Sequence, residues 1–304
     1  MNSKNLIQYL YHDDIDEKKW DHRIGSSSNG LIYAYALYLN HMAIHWDALV
    51  LNDYEVIMPL PWNKKYGINY LYQPPFTAIL GVFGNGLSQE ILKSFLNAIP
   101  KKFRLVEISL NHENLIPSPS MQNRNNYVLS LNKKYGDLYN GYNENNRRNI
   151  RKALQHGCKI KKGIPISDVI KLSKSQMKKV TNVKQADYKN FEKLYQSLYK
   201  QDNAITYAVY SNDNELLASC AYLFSHNRAY YVLVGNHPIG KTQGASHYLI
   251  DRFIYDHAGQ DLILDFEGSD IESVALYYSS FGATPEIYQF LKINNLPIWM
   301  AWLK

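Results

Sequence analysis

The chain is 304 residues long, enough for two domains of about 150 residues each rather than one core. Its 46% hydrophobic and 20% charged residues exclude wholesale disorder, and its two cysteines, Cys158 and Cys220, exclude a disulfide scaffold. The net charge of +6 is unevenly placed: residues 133–200 hold 17 Lys and Arg against 5 Asp and Glu, which points to an anionic partner.

Neither cysteine lies in a CxxC or Cys/His spacing, so a reducing compartment is expected. The first twenty residues carry no long apolar core of a secretory signal. The longest apolar run, Leu31–Leu39, is nine residues, against the ~20 a spanning helix needs. The expectation is a soluble, cytoplasmic protein. The 26 tyrosines fit a composition also rich in Asn, Lys and Ile, most of them half-buried with a wet hydroxyl.

In chain order, residues 1–24 read as a charged helical lead-in anchored by Trp20, followed by a loop at Ser26–Gly30 and a helical face over Leu31–Asn40. His41 and His45 are four apart, but no third ligand of suitable type is near, so no metal is expected. Trp46–Leu51 and Glu55–Pro59 flank Asn52-Asp53-Tyr54 as a hairpin, with Met58–Trp62 ending its second strand. Leu71–Leu80 is extended around Pro74-Pro75, and Gly81–Gly86 is a turn. Ser88 caps a helix to about Ala98, Arg104–Leu110 is a strand, and Pro117–Asn126 is a polar, Asn-rich connection. Tyr127–Leu131 closes the first domain, with the boundary near Lys133–Tyr142, giving domains 1–135 and 136–304.

Asn143–Gly157, NENNRRNIRKALQHG, has an N-cap in Asn143, a first-turn acid in Glu144 and a C′ glycine in Gly157. On a helical wheel Ile150, Ala153 and Leu154 share one arc, while Arg147, Arg148, Arg151 and Lys152 occupy the other. Three arginines among four cations suit bidentate phosphate contacts, although a solvated basic face has the same pattern. Lys159–Lys162 reads as a strand, Ile166–Lys179 and Gln185–Gln201 as helices, and Ala204–Tyr210, Glu215–Phe224 and Arg228–Val234 as a meander. Gly235–Gly240 breaks the last strand, and from Gln243 Ala245, Leu249, Ile250, Phe253 and Ile254 keep helical spacing. Leu262–Phe266 is a buried strand parallel to Tyr230–Val234, then come an acidic turn and a short helix. Glu286–Lys292 and Leu296–Trp302 are strands across Asn294-Asn295.

This order, with these residues, resembles the GNAT acyl-CoA N-acyltransferase fold. Lys241-Thr242-Gln243-Gly244-Ala245-Ser246 is similar to the family's Arg/Gln-x-x-Gly-x-Gly/Ala loop, with Lys241 for Arg/Gln and Ser246 for the final Gly/Ala. Tyr277–Ala283 is similar to the helix ending Leu-Tyr-x-x-x-Gly-Phe, with Ala283 for the Phe and Ile271 where an Asn is common. The Arg147–Ala153 helix together with Asp265-Phe266-Glu267-Gly268-Ser269 resembles the Fem-type branch, whose members carry two GNAT-like domains and move an amino acid from aminoacyl-tRNA onto a peptidoglycan precursor. No long coiled-coil arm is present.

The resemblance implies an α/β fold of two tandem GNAT-like domains, each a mixed, mostly antiparallel sheet with a central parallel β-α-β unit, and an active site in the second. It implies acyl transfer from acetyl-CoA, another acyl-CoA or aminoacyl-tRNA to a primary amine on a small molecule or cell-wall precursor. Tyr278 would protonate the leaving group, and Glu267 or Asp265 would accept the ammonium proton. Val234 and Gly235 would meet the donor carbonyl, and Gly240, Lys241, Gln243, Gly244, Ala245 and Ser246 would hold its phosphates. Arg147, Arg148, Arg151 and Lys152 would bind a polyanion. The departures at Ser246, Ile271 and Ala283 fit a rival class, a GNAT-like protein that binds a ligand without turnover.

Overall fold

The computed structural model describes residues 6–177, 183–268 and 270–296. The chain divides into two compact units, Met1–Arg124 with Ile287–Lys304, and Asn125–Glu286. The expected boundary lies at 135 with the whole C-terminus in the second domain; the division into units falls at 124, and the chain from Ile287 onward groups with the first unit.

In the first unit the lead-in begins as a strand. β1 (Ile7–Leu10) pairs antiparallel with β2 (His45–Leu51), because Ile7 and Tyr9, two residues apart, both reach the core. Helix α1 (Glu17–Ser26) is capped by Asp16, whose carboxylate accepts the Lys18 and Lys19 amides. Trp20 is the anchor expected: it is buried, and its indole N–H donates to the Ala34 carbonyl at 2.7 Å. The helix expected over Leu31–Asn40 breaks at Tyr35, which is extended (φ −63°, ψ 144°). A 3₁₀ turn, Ile32–Ala34, precedes it and α2 (Ala36–Met42) follows.

β2 turns through left-handed Asn52 and Tyr54 into β3 (Val56–Lys65), which outruns its expected end at Trp62 and folds back as β4 (Ile68–Leu71). β5 (Phe83–Gly84) pairs with β3. In α3 (Gln89–Ala98) the Ser88 hydroxyl accepts the Ile91 amide at 3.3 Å, a cap worth about 1 kcal/mol. Leu92 and Phe95 of α3 belong to the same core as Phe103, Val106 and Ile108 of β6 (Phe103–Leu110).

β7 (Met121–Ser130) runs through the polar stretch read as a connection. α4 (Tyr135–Asn140) and α5 (Glu144–Gln155) follow, then β8 (Lys159–Lys162), α6 (Ile166–Met177) and α7 (Gln185–Tyr199). β9 (Ala204–Tyr210), β10 (Leu216–Ser225) and β11 (Arg228–Asn236) form the expected meander. α8 (Pro238–Gln243), α9 (Ala245–His257), β12 (Ile263–Asp265) and α10 (Glu272–Ser279) complete the second unit. Its strand order is β7-β12-β11-β10-β9-β8, antiparallel except for β11 and β12. Phe253 of α9 locks the helix to the sheet, stacked on Tyr222 with ring centroids 3.7 Å apart. β13 (Thr284–Asn294) returns to the first unit and pairs antiparallel with β6 from Gln289↔Leu110 to Asn294↔Leu105. The strand expected over Leu296–Trp302 falls outside the described residues, except for Leu296, which is not in a strand.

Candidate active site

β11 and β12 pair at three rungs only: Arg228↔Ile263, Ala229↔Leu264 and Tyr230↔Asp265. β12 then ends, while β11 continues to Asn236. The parallel crossover therefore opens toward its C-terminal end, with Tyr231–Asn236 on one side and Phe266–Gly268 on the other. In α/β sheets this is where ligands bind.

On the β11 side the ladder to β10 slips. Val232 pairs with Ala221 and Gly235 with Ser219, so Leu233 and Val234 together oppose Cys220. Leu233 takes φ +51° while buried. A left-handed non-glycine residue costs about 1–3 kcal/mol and persists where its surroundings over-determine it, commonly at a functional site. The bulge takes Val234 out of the ladder, the position expected to meet a donor carbonyl. No glycine marks residue 233, so the bulge had no signal in the sequence.

On the opposite lip Asp265 is 2% exposed and committed to structure. Its Oδ2 pairs with Arg228 at 2.7 Å, and its Oδ1 accepts from Asn126 Nδ2 at 2.9 Å and from the Glu267 amide at 2.8 Å. Arg228 grips Glu286 with two further bonds of 2.9 Å each. Burial opposes its charge, but the bonds to Glu286 and the field of Asp265 outweigh that and raise its pKa. Asp265 thus holds the lip in shape through these contacts; Glu267 stands at the turn itself, left-handed at φ +63° before Gly268 at φ +76°.

Tyr278 packs next to this turn. Its ring stacks on Phe266 at 4.6 Å and stands edge-on to Tyr231 at 6.4 Å. Burial raises its pKa above the ordinary 10, and the negative charge of Glu267 raises it further. Of the expected catalytic residues, Tyr278 thus packs on Phe266, the neighbour of Glu267, and feels the charge of Glu267. Ser269 lies outside the described residues.

The expected phosphate loop is built differently. Pro238–Gln243 is a helix, its first turn capped by His237 Nδ1 on the Ile239 amide at 3.3 Å. Gly244, at φ +79°, ends α8 with its N–H on the Gly240 and Lys241 carbonyls, and α9 starts immediately after it. A Cβ at residue 244 would overlap the carbonyl oxygen of Asn149 on α5. A Cβ at Gly240 would overlap the Leu217 carbonyl, and one at Gly235 would lie 2.6 Å from the Ser173 amide nitrogen. Ala245 is buried, Gln243 Oε1 faces the Cys158 thiol at 3.8 Å, and Ser246 lies beside Tyr277. Lys241 is exposed. The three glycines thus serve close packing, and the amide of Gly244 is already bonded.

The basic helix forms as expected, with Asn143 Oδ1 accepting the Asn146 amide at 2.9 Å. Ile150 and Ala153 are buried, but Leu154, expected on the same arc, is 53% exposed. Arg147 donates to the Asn140 carbonyl and Arg148 to Asn145 Oδ1, both at 2.8 Å. Arg151 pairs with Glu144, and Lys152 is exposed. Arg148, Arg151 and Lys152 thus lie on the outer surface beside Leu154.

His247, which the sequence did not single out, packs edge-on to Tyr277 at 4.9 Å, and desolvation pushes its pKa down to about 4. Among the described residues no group of three or more His, Cys, Asp or Glu is placed to hold a metal.

No protein-family model matches the sequence, and no curated protein matches it either. Solved structures do. FemX aligns over 96% of this chain and 99% of its own, at 12% identity and a TM-score of 0.64. A conserved protein of unknown function from Bacteroides thetaiotaomicron aligns over 94% and 99%, at 12% identity and a TM-score of 0.59. L-PGS from Bacillus licheniformis aligns over 85% and 87%, at 9% identity and a TM-score of 0.52. At such identities the likeness is one of fold, and the fold is that of FemX: a mixed α/β chain of the tandem GNAT, Fem-like type.

Proposed function

We propose that this protein transfers an aminoacyl group from an ester donor, aminoacyl-tRNA, to a primary amine at the open end of the β11–β12 pair. One observation carries this: Tyr278 stacks on Phe266, next to Glu267, and stands edge-on to Tyr231 of the strand whose ladder is broken at Leu233 and Val234. The amine nitrogen attacks the donor carbonyl carbon. A C–N bond forms, the carbonyl oxygen takes up negative charge against a backbone N–H of the Leu233–Val234 bulge, and the ester C–O bond then breaks. A preorganised donor of this kind is worth roughly 3 kcal/mol. Glu267 accepts the ammonium proton, and Tyr278 gives its proton to the departing alkoxide.

The choice of an ester donor rests on the expected phosphate loop: the Gly244 amide that a coenzyme A pyrophosphate would use is already bonded to the Gly240 and Lys241 carbonyls. An acyl-CoA thioester is the second donor class. Arg228, Asp265 and Glu286 together carry one excess negative charge when ionised, and Glu267 adds another, a field that draws an acceptor in its ammonium form; the acceptor loses its first proton to water before it attacks as the neutral amine.

The test is transfer of a labelled aminoacyl group from charged tRNA, and of an acyl group from acyl-CoA, to a panel of amines. Turnover that collapses in Tyr278→Phe and Glu267→Gln supports the proposal. Ligand binding with no turnover from either donor would put the chain in the non-catalytic class.

A further inference from the structure

We infer that Arg228 is a positioning residue for Glu267, acting through Asp265; this rests on the proposed role of Glu267. The lip carrying Glu267 is a turn of two left-handed residues, and left-handed Glu267 is costly unless something holds it. A bond of 2.8 Å from its own amide to Asp265 Oδ1 ties it to the end of β12. Asp265 is fixed in turn by Arg228 on its other oxygen and by Asn126.

Arg228 stands at the first residue of β11, where the three parallel rungs begin, and is 6% exposed. Its guanidinium spans two carboxylates. Nη1 donates to Asp265 Oδ2 at 2.7 Å and to Glu286 Oε2 at 2.9 Å, while Nη2 donates to Glu286 Oε1 at 2.9 Å. Asn126 repeats the bridge, reaching Asp265 at 2.9 Å and Glu286 at 3.3 Å. A planar fork with five donors does this; an ammonium holds the charge but cannot hold both carboxylates in one plane. The strand that carries the bulge and the lip that carries Glu267 are thereby tied at their common base. Arg228 touches no reacting atom in this scheme. It sets where the Glu267 carboxylate stands relative to Tyr278 and Val234.

The experiment uses the full chain labelled with ¹⁵N and reads amide exchange at Glu267 against Val232 of β11, with Arg228→Lys compared to wild type. The expected result is a protected Glu267 amide in wild type and exchange about tenfold faster in Arg228→Lys, with Val232 changed far less. Transfer by the same variant should show a lowered kcat with the donor KM retained. If Arg228→Lys does not fold, Glu286→Gln keeps the Arg228–Asp265 bond and loosens the far side of the guanidinium, and about threefold faster exchange at Glu267 is expected. An unprotected Glu267 amide in wild type, or equal protection in wild type and variant, overturns the inference. If wild type transfers nothing from any donor, the catalytic proposal falls, while the exchange data still decide whether Arg228 positions Glu267.

Discussion

The carbonyl oxygen of Asn149 fills the space into which any side chain on residue 244 would project. That contact lies where the basic helix α5 packs against the junction of α8 and α9. It turns a glycine that reads as a phosphate-loop residue into a packing residue.

Gly244→Ala should therefore destabilise the protein by about 3 kcal/mol, combining overlap with backbone and a left-handed φ. Gly259, at φ +82°, has nothing within 4 Å of its Cβ position. Gly259→Ala should cost about 1 kcal/mol, the conformational term alone. Urea unfolding of the two variants separates packing from backbone strain.

His247 should make the fold acid-sensitive. Its folded pKa of about 4 lies below the ordinary 6.5, so the unfolded chain takes up the proton first. Its contribution is fully present above 6.5 and is lost as pH falls toward 4, on the order of 3 kcal/mol in all. His247→Gln should flatten the stability profile between those two pH values, measured by chemical denaturation at each.

The two acidic residues of the lip should separate by readout. Glu267→Gln should lower kcat about a hundredfold and leave the unfolding midpoint nearly unchanged. Asp265→Asn should lower stability by about 2–3 kcal/mol, because it disrupts a buried, charge-assisted network. Comparable loss of stability in both variants would contradict the division of labour between them.

Arg148→Ala, Arg151→Ala and Lys152→Ala should each weaken tRNA binding and reduce the slope of log affinity against log salt by about 0.7–1. A filter-binding series at several salt concentrations measures this.

Much of this fold was legible because local chemistry and tertiary packing agreed. Asn143 and Ser88 cap the helices their sequences announce, and β9, β10 and β11 pair antiparallel as a meander should. The failures share a cause, which is long-range context. Ile7–Leu10 becomes a strand because β2 offers it a ladder. In the polar run Met121–Asn126, Asn126 faces inward onto Asp265 and Glu286, residues 139 and 160 positions away. Pro238 starts α8 at the first helical position, where proline is favoured, inside what reads as a glycine turn. At the site, Glu267 and Tyr278 could be found from motif positions. The bulge at Leu233 and the Arg228–Glu286 clamp could not, since neither residue 233 nor an arginine opening a strand looks unusual alone.

The most direct measurement is a side-by-side titration of the full chain with charged tRNA and with acetyl-CoA across a range of salt concentrations. The expected result is RNA binding that weakens steeply with salt, and no saturable acetyl-CoA binding up to about 1 mM. Micromolar, salt-insensitive binding of acetyl-CoA, with no RNA binding, would contradict it: the junction at Gly244 would then accept a pyrophosphate despite the Asn149 carbonyl packed against it.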